Sequence, residues 1–102
     1  MKTYRIVPSP EAVADFRELY RVIAYDHKLP STAFRYMRGL RETINSLKKF
    51  PTRNAIRNEK NLFKFGFFVR CANYKKMAIL YTIFGDIVYI HRIVASSLIT
   101  VI

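Results

Sequence analysis

The chain opens on alternating, β-forming positions. Residues 2–7 read Lys-Thr-Tyr-Arg-Ile-Val, which predicts a first strand with Tyr4 and Ile6 inward and Arg5 outward. Pro8-Ser9-Pro10 ends it. Ser9 suits a helix N-cap and Pro10 the first helical position, while Glu11 and Asp15 favour the positive end of the helix dipole. Ala12, Phe16, Leu19 and Ile23 then recur at helical spacing. They predict a helix that stops near His27, ahead of Leu29-Pro30. Ser31 or Thr32 caps a second helix, whose stripe is Ala33, Met37, Leu40, Ile44 and Leu47 and which ends at Phe50-Pro51. Two amphipathic helices joined by so short a break form an antiparallel hairpin. Residues 51–61 are polar and read as a loop with some local turn.

From Leu62 the texture becomes β-branched and aromatic, and strands are expected near 66–72, 76–84 and 86–94. Gly85-Asp86 carries the signal of a two-residue type II′ hairpin. That turn pairs Phe84 with Ile87, Ile83 with Val88, Thr82 with Tyr89, Tyr81 with Ile90, and Leu80 with His91. One face then carries Met77, Ile79, Tyr81, Ile83, Val88 and Ile90, all apolar but for one hydroxyl, and belongs against the helices. In the preceding strand Phe67, Val69 and Cys71 are assigned to that same face. Arg92 falls on the apolar side, a misfit that a bulge or the strand's end there would relieve. The expected fold is α+β, ordered β-α-α-β-β-β, with a helical hairpin packed on one face of a small, mainly antiparallel twisted sheet. The other face is expected to stay open. It carries Arg5, Arg70, Thr82, Tyr89 and His91 beside apolar Phe68, Leu80 and Ile87. Such a surface suits a permanent partner, a nucleic acid, or both.

Composition narrows the classes. The 102 residues make one domain, 1–102, with a core that needs no staples. Cys71 is the lone cysteine, so an internal disulfide and a thiolate metal cluster are both excluded, which suits a reducing cytoplasm. Residues 1–7 lack a long apolar run before a small-residue cleavage site, so no signal peptide is expected. The apolar C-terminal third is interrupted by Gly85-Asp86 and His91-Arg92, too often for a membrane helix. Eighteen Lys+Arg against seven Asp+Glu give a formal charge of +11. The excess lies in residues 35–76, with twelve basic and two acidic side chains. A solvated face explains part of it, but solubility needs only about 2–8 charges, so a polyanionic partner is expected.

The residues offer little for most chemistries. The acids are scattered, no His/Cys/Asp cluster has ligand spacing, and P-loop and dinucleotide fingerprints are absent, so neither a metal nor a cofactor is expected. Metal-free cleavage of RNA by its own 2′-hydroxyl is the reaction left. It needs acid and base groups and cations over the phosphate. His91 and Tyr89 are the acid/base candidates and Arg70 the phosphate clamp. Arg5, Lys60, Lys64, Lys75 and Lys76 are candidate phosphate contacts. For His91 an ordinary strand histidine is the competing reading, and for Arg70 a surface charge. Phe68, Leu80 and Ile87 are the apolar candidates for partner binding.

Three stretches together resemble the RelE/ParE superfamily of toxins. They are Tyr4-Arg5-Ile6-Val7-Pro8 with Ala12, Asp15 and Phe16; Leu40, Ile44, Leu47 and Phe50-Pro51; and the block Val69-Arg70, Asn73 to Thr82 and Val88 to Ile93. The resemblance spans nearly the whole chain. It implies the toxin of a bacterial type II toxin–antitoxin module, held inactive by a cognate antitoxin laid over it, through which it could oligomerise. RelE-like members cut mRNA in the ribosome, whereas ParE-like members inhibit DNA gyrase. Arg70 matches the arginine that ribonuclease members use on phosphate, which leans the expectation toward ribosome-dependent mRNA cleavage. The last strand departs from that pattern: residues 93–102 hold none of the His/Tyr or Arg…Tyr groups with which many ribonuclease members end. Gyrase inhibition, or a decayed toxin that only binds its antitoxin, are the alternatives.

Overall fold

The computed structural model describes residues 2–28 and 30–102. Met1 and Leu29, the latter in the expected helix break, lie outside the described residues, as does the side chain of His27. Strand β1 (Arg5–Pro8) leads into helices α1 (Pro10–His27) and α2 (Pro30–Ser46). Short 3-10 turns follow at Pro51–Arg53 and Lys60–Phe65, then strands β2 (Arg70–Tyr74), β3 (Met77–Phe84) and β4 (Ile87–Ala95), and a last 3-10 turn at Ser96–Leu98. The sheet order is β1-β4-β3-β2. β1 runs parallel to β4 and the other pairs are antiparallel.

The caps follow the residues. The Ser9 hydroxyl accepts from the Ala12 N–H at 2.9 Å and donates to the His91 carbonyl at the same distance, so one side chain starts α1 and pins it to β4. Pro30 opens α2 directly, one position before the expected Ser31 or Thr32 cap, because proline fits the first helical turn. The β3–β4 hairpin has the expected register from Phe84↔Ile87 to Tyr81↔Ile90. Gly85 takes φ 61°, as the first position of a type II′ turn demands. Beyond Tyr81 the register shifts, and Leu80 pairs with Arg92 instead of His91. This bulge relieves the Arg92 misfit. The guanidinium meets the Asp15 carboxylate of α1 at 2.7 and 3.1 Å, and Asp15 also accepts the Ile93 N–H at 3.0 Å. An extra residue in β4 is thus used to tie the helix layer to the sheet.

One face assignment is corrected. β2 begins at Arg70, and the pairs Tyr74↔Met77, Ala72↔Ile79, Cys71↔Leu80 and Arg70↔Tyr81 fix its parity. The connection is the two-residue turn Lys75-Lys76, with Lys75 at φ 51°. Arg70 and Ala72 therefore face the helices, while Val69 and Cys71 point to the other side, the reverse of the expectation.

Two cores result. Met37, Leu40, Leu47, Ile79, Tyr81, Val88 and Ile90 are buried between the helices and the sheet. On the second face Leu62, Val69, Cys71, Ala78, Leu80, Val94 and Ile99 form a smaller core. The turn at Lys60–Phe65 and the C-terminal residues cover it, joined by Asn61 Nδ2 donating to the Ile99 carbonyl at 2.6 Å. So the second face is not fully open. Its half toward the Lys75-Lys76 turn is roofed. Its half toward Gly85 carries Arg5, Thr82, Phe84, Ile87 and Tyr89, none of them fully buried. No helix among the described residues is long and apolar enough to cross a membrane.

Candidate functional site

Tyr81 lies at the centre of the helix-side face with 0% exposure. Its hydroxyl donates to the Pro51 carbonyl at 2.5 Å and accepts from Asn54 Nδ2 at 3.0 Å. Burial pushes the Tyr81 hydroxyl above its ordinary pKa, so it stays protonated and keeps donating. Arg70, Tyr81's cross-strand neighbour, sends Nη1 to the carbonyls of Thr52 (3.2 Å) and Asn54. A tyrosine and an arginine thus hold the loop at 51–54 against the sheet. The carbonyls are poor hosts for an anion, and they occupy Nη1 of the guanidinium on the protein itself.

His91 sits on the opposite face. Its Nε2 is 2.8 Å from the Thr82 hydroxyl, and its ring stacks on Phe65 with centroids 5.4 Å apart. Burial lowers its pKa below the ordinary imidazole value, so the neutral ring is favoured. Tyr89 shares that face, opposite Thr82. The structure therefore brings His91 and Tyr89 to one face and leaves Arg70 on the other, with the sheet between them.

The candidate phosphate contacts divide the same way. Arg5, Lys60 and Lys64 border the second face, with Lys64 Nζ 5.4 Å from the Phe65 ring centroid. Lys75 and Lys76 lie at the far turn, where Lys75 packs over Tyr74. Of the apolar candidates, Phe68 is 68% exposed and Ile87 half-buried, but Leu80 is fully buried beneath the roof and has no surface to offer a partner. Cys71 shares the second face with His91, yet burial raises its thiol pKa, which keeps it a poor nucleophile.

The concave feature that sequence reasoning missed is a groove of about 440 Å³ between α1, α2 and the β1–β4 edge. Ile6, Val13, Phe16 and Ile44 line it, and Arg17 and Arg41 stand in the lining. The Arg41 guanidinium lies 5.5 Å from the Phe16 ring centroid. Its signal in the sequence is arginine interleaved with the apolar stripe, Phe16-Arg17 on one helix and Arg41 before Ile44 on the other.

The His91 environment has a measurable consequence. A folded-state pKa below that of the unfolded chain means that the native state binds fewer protons, so stability falls as the pH drops below about 6.5. The midpoint of thermal unfolding should therefore decline between pH 7.5 and 5.5. In His91→Gln the decline should be shallower, and an equal slope in both proteins would contradict this environment.

Residues 6–97 match the family described as ParE toxin of type II toxin–antitoxin system, parDE. No curated protein sequence matches. Among solved structures the chain resembles one described as a chromosomal ParDE toxin–antitoxin system from P. aeruginosa, at a TM-score of 0.71 and 18% identity. The similarity covers 91% of this chain and 96% of that one, and at this identity it speaks for the fold. With the family match spanning nearly the whole sequence, the chain belongs to the ParE toxin family of type II toxin–antitoxin systems.

Proposed function

We propose that the chain is a cytoplasmic ParE-like toxin, one domain over residues 1–102, that stops growth by binding DNA gyrase rather than by cleaving RNA. The observation that carries this reading is the separation of Arg70 from His91 by the thickness of the sheet. Acid–base cleavage requires those groups within reach of one scissile phosphate. Arg70 Nη1 is engaged by the 51–54 loop, and the His91 ring is held by Thr82 and Phe65. Both fit structural roles. Family membership favours the ParE mode over the RelE mode.

Neutralisation follows from the groove. An extended or helical antitoxin segment with apolar residues for Phe16 and Ile44 and carboxylates for Arg17 and Arg41 fits its shape and sign. The charge of +11 speeds capture of such an acidic segment.

The test is a supercoiling assay with purified gyrase and relaxed plasmid. The chain and its His91→Ala variant should inhibit at the same concentration to within about twofold. Arg70→Ala should do so after correction for its folded fraction, since it loosens the 51–54 loop. Loss of supercoiling inhibition in both folded variants, with mRNA cut by the unmutated chain in a translating extract, would reinstate the ribonuclease.

A further inference from the structure

We infer that the uncovered half of the second sheet face is a stacking platform for single-stranded nucleic acid. The inference stands whether or not gyrase is the target. Three phenylalanines that a folded chain would ordinarily bury are open on it or at the edge of the roof beside it: Phe63 of the Lys60–Phe65 turn at 44%, Phe67 at 75% and Phe84 at 77% exposure. Phe63 and Phe67 stand with ring centroids 6.0 Å apart. Gly66, beside Phe67, lies against Thr82, and Phe84 is the next residue of β3 on that face. The rings are held by structure rather than by a flexible tail. Phe65, between them in sequence, is locked against His91.

The charge around the rings has the sign of a phosphate chain. Lys60 and Lys64 are exposed, and no carboxylate among the described residues pairs with them. The nearby acid Glu59 is taken by Arg57. Arg5 stands beside Ile87 on β1, and Lys2 Nζ reaches the Gly85 carbonyl at 3.2 Å, next to the one acid of the hairpin tip, Asp86. Exposed aromatic rings bordered by unpaired lysines are what bind unstacked bases, since every base offers a π-face and the cations follow the backbone. A duplex hides those faces.

The experiment is fluorescence anisotropy of the purified full chain with a labelled 20-mer of deoxythymidine. Matched oligouridine RNA, a 20-base-pair duplex and anionic phosphatidylglycerol vesicles serve as competitors. Phe67→Ala and Phe84→Ala should each weaken binding by about 5- to 150-fold, the range for one lost base–aromatic stack. Both side chains are exposed, so the thermal midpoint should hardly move, and Phe67→Tyr should keep the affinity. Lys64→Ala should lower the salt slope by about 0.7. Oligouridine should compete about as well as unlabelled oligomer, since the rings meet base faces that both strands offer. Four results would overturn the inference: no binding of the oligomer, Phe variants that bind as the unmutated chain does, duplex competing better than the single strands, or vesicles displacing the oligomer more effectively than unlabelled oligomer does.

Discussion

Phe16→Asp should cut the affinity for the cognate antitoxin by about 30- to 900-fold, the range of a strong interface anchor. Phe16 is half-buried and lines the groove at the point where α1 faces α2. An apolar antitoxin side chain seated there would be packed against the ring and shielded from water. Aspartate removes that contact and sets a carboxylate where the partner brings apolar and acidic groups, so attraction becomes repulsion. Arg41 loses its aromatic neighbour in the same step. The rim behaves differently: Arg17→Ala should mainly slow association and flatten its salt dependence, because an exposed charge steers more than it holds. Calorimetry with the co-expressed antitoxin measures both, and circular dichroism checks that Phe16→Asp is folded. A folded Phe16→Asp protein that binds its antitoxin normally would remove the groove from the interface.

Tyr81→Ala should destabilise the fold by about 3–5 kcal/mol, a large part of the 5–15 kcal/mol that holds a domain together. Two losses add. The ring is fully buried at the centre of the helix-side core, so its removal leaves a cavity. The hydroxyl bridges Pro51 and Asn54, so its removal strands a carbonyl and an amide at the base of the 51–54 loop. Tyr81→Phe separates the terms, because it keeps the ring and should cost about 1–3 kcal/mol. Urea unfolding of the three proteins reads both numbers. If Tyr81→Phe costs as much as Tyr81→Ala, the loop bridge and not the core packing dominates. If neither costs anything, the central position of Tyr81 is contradicted.

Most of the fold was legible because local signals agreed. Ser9-Pro10 marks the start of α1, the three-and-four spacing marks both helical stripes, and Gly85-Asp86 fixes a hairpin register that alternation then carries to Tyr81. Even the Arg92 bulge was visible as a charge on an apolar face. The parity of β2 was not. Its turn is Lys75-Lys76, with a lysine in the left-handed region and no glycine or asparagine to announce it. A one-residue error there turns every side chain over, which is why Arg70 was assigned to the face of His91. The roof over Leu80 was hidden for a related reason. Leu62, Val69 and Ile99 come from 3-10 turns and loop ends, where no periodicity marks a buried side. The groove has no mark of its own in the apolar pattern, because Phe16 and Ile44 belong to stripes that read as core throughout, although both are only partly covered.

The toxin's mode of action is read most directly in the first minutes after the chain alone is induced in a bacterial host. Incorporation of labelled thymidine and of labelled amino acids is followed side by side, for the unmutated chain and for His91→Ala. Thymidine incorporation should fall first, and by the same amount with either protein, while protein synthesis continues until the chromosome is damaged. An immediate stop in protein synthesis that His91→Ala abolishes would place the toxin on the ribosome and make the second sheet face a catalytic one.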